Sequence, residues 1–144
     1  MNIKILEDLG LKEISMEAGT TLIHCGTLNQ NVYVLTSGKV KLMVKGHQIS
    51  EVDSPGTIFG EISALLNAET VADVVVAEKS SFYVIANFLD FIYKNPKACV
   101  SVAQILACRL INMNNHFVYI KNQLQQLDDN LKDYVPVFPE KFQV

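Results

Sequence analysis

Residues 57–66 read Thr57-Ile58-Phe59-Gly60-Glu61-Ile62-Ser63-Ala64-Leu65-Leu66, and they decide the fold because they break a pattern. On either side the chain is a succession of short, β-branched apolar runs separated by turn residues, whereas Gly60 to Leu66 is rich in helix formers and stops before Asn67. The reading is a short helix set inside a series of strands. Such an insertion works against compactness, which marks it as a candidate site more readily than as filler.

The strand series extends in both directions from this helix, from Glu13 to Ile85. Upstream lie TTLIH (20–24), NVYVLT (31–36), KVKLMVK (39–45) and ISEV (49–52); downstream lie VADVVVAE (71–78) and SFYVIA (81–86). Ser37-Gly38 and Lys45-Gly46 read as hairpin turns, and Asp53-Ser54-Pro55-Gly56 as a turn whose Pro and Gly supply the required backbone angles. Many short strands at this spacing predict an antiparallel β-roll, jelly-roll-like and closed.

After Ala86 the texture becomes helical. Asn87 is placed to cap a helix over FLDFIYK, and Asn95-Pro96 restarts one, with Asn as N-cap and Pro in the first helical position, where its missing N–H does no harm. From there to Pro136, Leu106, Leu110, Met113, Phe117, Ile120, Leu124, Leu127 and Leu131 recur at alternating spacings of four and three, an unbroken heptad seam. A second stripe, Ile105, Cys108, Ile111 and Val118, fades where Asn122, Gln125, Gln126 and Asp129 take over. The first half of this helix is therefore expected to pack both on the roll and on a second copy, and the half beyond Ile120 to project as a two-stranded coil. The predicted organisation is a β-roll over 1–94 with its short helix at 60–66, a long dimerisation helix over 95–134, and a tail over 135–144. In that tail, Val135, Val137, Phe138 and Phe142 predict a segment that folds back on the coil or enters a partner.

Bulk properties narrow the function classes. A chain of 144 residues is about one domain, enough to bury roughly two thirds of its unfolded surface without metal or disulfide staples. With 12 basic against 15 acidic side chains, no excess of positive charge is available for a phosphate backbone, so nucleic acid is not an expected partner. Cys25, Cys99 and Cys108 make no CxxC pair and leave one thiol over in any disulfide scheme, which fits a reducing, cytoplasmic setting. Acidic residues interrupt the start, MNIKILEDLG, and no stretch approaches the roughly 18 apolar residues of a membrane span, so neither secretion nor membrane insertion is expected.

A roll holding a short helix that opens Phe59-Gly60-Glu61-Ile62-Ser63, led by Ala18-Gly19, Gly26 and NVYVLTSGKVKL and followed by a long dimerising helix, resembles the cyclic-nucleotide-binding domain family over about residues 12–134. The resemblance implies that a cyclic phosphate sits at the start of the short helix, where N–H groups and the helix dipole favour an anion and a Gly lets the backbone come close. Gly60, Ile62 and Ser63 match those backbone positions, and Glu61 matches the Glu that accepts a hydrogen bond from the ribose 2′-hydroxyl. The family's purine contacts come partly from the long helix, where Met113 and Asn114 occupy the matching stretch and the Asn114 amide offers hydrogen bonds to a purine edge.

Two departures qualify what the resemblance implies. Ten residues beyond Glu61 the family places an Arg that grips the phosphate through two N–H donors, followed by a small hydroxyl residue or Ala; this chain has Val71-Ala72. From Thr57 to Val76 there is no Lys or Arg, while Glu61, Glu69 and Asp73 are acidic. A charge-assisted hydrogen bond is worth about 1.5 to 3 kcal/mol, so its loss predicts roughly tenfold to a hundredfold weaker anion binding. The second departure is that only VPVFPEKFQV follows the long helix, where the transcription-factor branch continues into a helix-turn-helix; no DNA-binding domain is expected.

Other reactive residues fall short of a site. His24, His47 and His116 have neither HxH nor HxxxH spacing, so structural or surface roles are expected, and the HxH pair that a cupin-like metalloenzyme on a similar roll requires is missing from IHCG. The three cysteines are expected as buried small apolar residues, since Cys99 and Cys108 stand too far apart on one helix to bridge. No nucleophile sits in a GxSxG elbow. The expected function is that of a non-catalytic, dimeric sensor or regulatory module, with a cyclic nucleotide or other small ligand as its effector and a possible protein partner. A ligand-free dimeric interaction scaffold is the alternative reading, and a cupin-like enzyme the more remote one.

Overall fold

The computed structural model describes residues 1–132. Alternation of apolar and polar residues builds eight antiparallel strands: β1 (Glu13–Met16), β2 (Thr21–Ile23), β3 (Val32–Ser37), β4 (Val40–Val44), β5 (His47–Val52), β6 (Ile58–Phe59), β7 (Asp73–Val76) and β8 (Ser80–Ile85). They form two four-stranded sheets, in the orders β1-β8-β3-β6 and β2-β7-β4-β5, so the strand series begins at Glu13 and ends at Ile85 as its composition predicts.

The core lies between the sheets. Leu35 and Phe82 stand opposite each other in the β3–β8 register and pack with Val40, Val74 and Val76 of the other sheet. Tyr33 meets Phe82 edge-on, at 6.5 Å between ring centroids. The alternate residues Val32, Val34, Tyr83 and Ile85 point to the other face of the same sheet and are buried too. Around Val34 and Tyr83 both faces of this sheet are therefore buried, whereas Glu13 and Ser15 of its strand β1 are exposed; Leu6, Phe88, Ala98 and Val102 of the helices are buried as well. In the second sheet β5 is exposed over most of its length. At the β4–β5 hairpin Lys45 and Gly46 both take positive φ (50° and 79°), the requirement of the tight primed turn that their sequence signals.

Four helices complete the chain: α1 (Ile3–Asp8), α2 (Glu61–Leu66), α3 (Phe88–Lys94) and α4 (Pro96–Lys132). Helix α1 was not anticipated from the sequence; it is too short to show a period, and its signals are the Asn2 side chain, which accepts the Lys4 N–H at 3.0 Å, and the fully buried Leu6. Helix α2 begins one residue later than expected, with Gly60 as its N-cap. Asn87 and Asn95 depart from their expected capping roles. Asn87 stands at the N-cap of α3 but in a left-handed conformation, and its side chain makes no capping bond. The Asn95 amide turns back to donate to the Phe91 carbonyl at 2.7 Å, so α4 starts at Pro96 without a side-chain cap from Asn95.

The chain divides into two compact units, Met1–Ala103 and the segment from Gln104 onward. In the second unit the seam residues Leu110, Met113, Phe117, Ile120, Leu124 and Leu127 are exposed, while Leu106 is half-buried. Of the second stripe, Cys108, Ile111 and Val118 are exposed and Ile105 is half-buried among the described residues. Helix α4 has 37 residues, roughly 55 Å at 1.5 Å per residue, and from Gln104 onward it belongs to the second unit. The side chain of Leu131 and the tail 135–144 lie outside the described residues.

Candidate functional site

The site grows out of one backbone position. Gly60 joins β6 to α2 with φ +91°, in the left-handed region, and an added Cβ would stand 2.5 Å from Asn29 Nδ2, 2.7 Å from the Asn31 carbonyl and 2.9 Å from Ile23 Cδ1. Only a residue without a side chain fits. Behind it, the backbone N–H groups of the first helical turn have no carbonyl one turn earlier to accept them, which is the general property that makes such a turn attractive to an anion.

The predicted site residues divide according to their surroundings. Glu61 is 2% exposed, a carboxylate sunk into the first turn of α2. Ser63 is buried as well, and its hydroxyl is engaged in the frame of the site: Oγ accepts the Asn29 N–H at 3.0 Å and donates to the Ala68 carbonyl at 2.6 Å. Ile62 points outward and is exposed. Val71 is 79% exposed, and Ala72 is half-buried. Asn114 is exposed on α4 in the second unit.

A second loop braces the return from α2 to β7. The Gly26 N–H donates to the Thr70 carbonyl at 2.8 Å, and the Thr70 N–H to the Thr27 carbonyl at 2.9 Å; Leu28 and Glu69 form an antiparallel bridge. The Thr70 hydroxyl donates to the His24 carbonyl, and Asp73 Oδ1 accepts the Cys25 N–H at 2.8 Å. Asn29 completes the frame by donating Nδ2–H to the Asn31 carbonyl at 2.5 Å and accepting the Asn31 N–H at 3.3 Å. Asn29, Asn31 and Thr70 are thus the residues that hold residues 60–72, the cassette of Gly60, α2 and the return to β7, and sequence reasoning missed them. The Asn-x-Asn spacing, a turn that hydrogen-bonds to itself, was the available signal.

The electrostatics follow from the sequence. Glu61, Glu69 and Asp73 fall in a segment without Lys or Arg, and Thr20 to Asn31, which braces it, contains no Asp, Glu, Lys or Arg. Among the described residues no group of three His, Cys, Asp or Glu is placed to hold a metal ion. Cys25, Cys99 and Cys108 are all exposed, contrary to the expectation of buried thiols: Cys25 sits on the bracing loop, and the other two lie on outward faces of α4. A separate open cleft of about 370 Å³ lies where α2 meets α3, lined by Ala64, Asn67, Asn87 and Phe88 among others; it includes none of the predicted site residues.

Against known proteins, residues 13–92 match the family profile of the cyclic nucleotide-binding domain, which is more than half of the chain. The chain belongs to the cyclic nucleotide-binding domain family. Solved structures agree at the level of fold. The catabolite activator protein of Thermus thermophilus superposes with a TM-score of 0.67 at 24% identity, over 84% of this chain and 60% of that one. The N-terminal domain of a transcriptional regulator from Streptomyces coelicolor A3(2) does so with 0.57 at 22%, over 80% and 87%. The regulatory domain of a Toxoplasma gondii protein kinase A, solved with cyclic AMP, gives 0.52 at 26%, over 65% and 37%. The chain therefore spans about 60% of the length of the Thermus activator. No curated protein sequence matches it. Among the described residues no helix is long and apolar enough to cross a membrane.

Proposed function

We propose that this cyclic-nucleotide-binding-family chain is a non-catalytic, cytoplasmic regulatory module, a parallel homodimer through the α4 seam, whose cassette takes a cyclic nucleotide or a related small ligand with low affinity. The observation that carries the reading is Glu61, a carboxylate 2% exposed on the first turn of α2 directly after a glycine that no other residue replaces. A carboxyl group this deeply buried needs hydrogen-bonding partners, and in the family this position receives the ribose hydroxyl. Gly60, Ile62 and Ser63 contribute backbone N–H groups, Val71 and Ala72 border the phosphate position, and Asn114 is the candidate for the purine edge.

Low affinity follows from Val71. Its exposure leaves an apolar, uncharged side chain where the family's guanidinium neutralises phosphate, beside a segment that is otherwise acidic. The same exposure makes the decisive experiment practical, because an Arg at this position has its charge in water and brings no burial cost. Calorimetry of the intact protein with cyclic AMP is expected to give a dissociation constant well above the micromolar range, and Val71→Arg to tighten it at least tenfold, about 1.5 to 3 kcal/mol. A folded Val71→Arg protein with no gain would overturn the nucleotide reading.

The acidity of the cassette favours a second reading, a dimeric interaction scaffold that binds no nucleotide. It is the reading to adopt if Val71→Arg fails. A cupin-like enzyme has less support, and stoichiometric metal in the purified protein is the result that would revive it. Dimer formation has its own check: sedimentation at micromolar concentration is expected to give a dimer.

A further inference from the structure

The charge on α4 is of one sign over most of its length. From Phe91 to Leu127 there is no Asp or Glu, whereas Lys94, Lys97, Arg109 and Lys121 all fall in that stretch. The helix runs unbroken over Pro96–Lys132, so positions around it follow from residue spacing. With Leu110, Phe117 and Leu124 as the a positions of the heptad and Met113, Ile120 and Leu127 as the d positions, one edge of the seam carries Arg109, His116 and Gln123 (g) and the other Asn114, Lys121 and Asp128 (e). His116 and Lys121 are exposed in the single chain, as are Phe117 and Ile120 of the seam between them.

In a parallel two-stranded coil, a g residue lies beside the e residue of the following heptad on the other helix. The pairs that flank this seam are Arg109 with Asn114, His116 with Lys121 and Gln123 with Asp128, each across the two copies. Only the middle pair can hold two charges, and they have the same sign. Histidine is the side chain whose charge changes between about pH 5 and 8. A neutral imidazole is a tolerable neighbour for the ammonium, a protonated one repels it, and the two-fold axis makes the contact occur twice in each dimer. Nothing close by offsets the repulsion. No carboxylate lies within a turn of either residue on its own helix; His116 has Tyr119 within a turn, and Arg109, a heptad earlier on the same edge, adds positive charge. Asp128 and Asp129 are the nearest acids in sequence, about two turns beyond Lys121.

We propose that His116, set against Lys121 of the partner subunit, makes the α4 dimer sensitive to acid, so that protonation of His116 loosens the coil and dimer formation in turn opposes the proton. The inference rests on the parallel dimer proposed above and adds its regulation. The test is the dimer dissociation constant of the intact protein, from sedimentation over a dilution series in low salt at about pH 8 and about pH 5.5. The constant is expected to rise about three- to tenfold at the lower pH, the combined effect of two exposed contacts of modest strength. For a dimer too tight to dilute apart, exchange between labelled and unlabelled subunits, faster at the lower pH, gives the same reading. His116→Gln, at an exposed position and to a good helix former, is expected to abolish the dependence, and Lys121→Glu to invert it, so that acid tightens the dimer. A dimer equally tight at both pH values would overturn the proposal and leave the dimer itself standing. A response that persists in His116→Gln would also overturn it, by moving the origin to His24 or His47, as would an unchanged sign in Lys121→Glu, which would mean that the two helices are not parallel and in register. Monomer at both pH values and at every concentration would overturn the dimer reading as well, which separates the two failures.

Discussion

Replacing Gly60 with Ala tests the geometry on which the cassette depends. Two independent penalties apply. An L-residue held at φ +91° costs about 1–2 kcal/mol relative to glycine, since its Cβ crowds the adjoining carbonyl. The new Cβ would also meet Asn29 Nδ2, the Asn31 carbonyl and Ile23 Cδ1 at 2.5, 2.7 and 2.9 Å. The Asn31 carbonyl is backbone and cannot swing away, and the Asn29 amide is itself bonded to that carbonyl, so relief requires moving the loop; overpacking of this kind costs about 1–3 kcal/mol. Together they amount to about 2–5 kcal/mol, or a fall in melting temperature of roughly 10 °C or more for a domain of this size. Gly26→Ala is the control. Gly26 also has positive φ, at +76°, but nothing lies within 4 Å of its added Cβ, so it carries the conformational penalty alone. Urea denaturation followed by circular dichroism, with the slope checked for constancy, gives both values. The reasoning is refuted if Gly60→Ala costs no more than Gly26→Ala, or less than about 0.5 kcal/mol in absolute terms.

Other outcomes follow from particular contacts. Ser63→Ala leaves the Asn29 N–H and the Ala68 carbonyl without their shared hydroxyl in a buried setting, and a loss of about 1–3 kcal/mol in the same urea experiment is expected; a neutral result would mean that water replaces the hydroxyl. Phe117→Asp is expected to give a folded monomer, because Phe117 is exposed within the single chain and its loss harms only a partner; an unchanged dimer in sedimentation would remove the seam from the interface. Burial, and then the nearby charges of Glu7 and Glu13, holds the Tyr83 phenol above its ordinary value of 10.0. The folded state therefore keeps its proton where the unfolded chain has released it, so stability is complete below about pH 10 and lost as pH rises toward the raised value. Tyr83→Phe is expected to flatten the alkaline fall of the melting temperature; parallel falls in the two proteins would show that Tyr83 is not responsible.

The sequence alone determined what depends on neighbours along the chain. Period-two runs between turn residues placed the strand series from Glu13 to Ile85, helix formers between them placed α2 to within a residue, and Pro96 with the heptad that follows marked α4, because these signals come from local geometry and the repeat of side-chain direction. The glycine at position 60 and the carboxylate at 61 were legible for the same reason, as a five-residue motif in a recognisable setting. Tertiary structure decided everything that depends on approach between distant segments. It brought Asn29 and Asn31 against Gly60, turned the Ser63 hydroxyl toward the frame of the site, and left Val71, Ile62 and Leu66 in water, although composition alone gives no reason to expect three large apolar side chains there. It also exposed the three thiols, since burial is set by which surface another segment covers and not by the apolar character of the residue. Helix α1 and the left-handed Asn87 belong with these. A two-turn helix has too few residues for a period, and a capping residue adopts its role only when the chain entering the helix, here fixed by the Phe88 N–H donating to the Gln30 carbonyl at 3.1 Å, arrives at an angle that allows it.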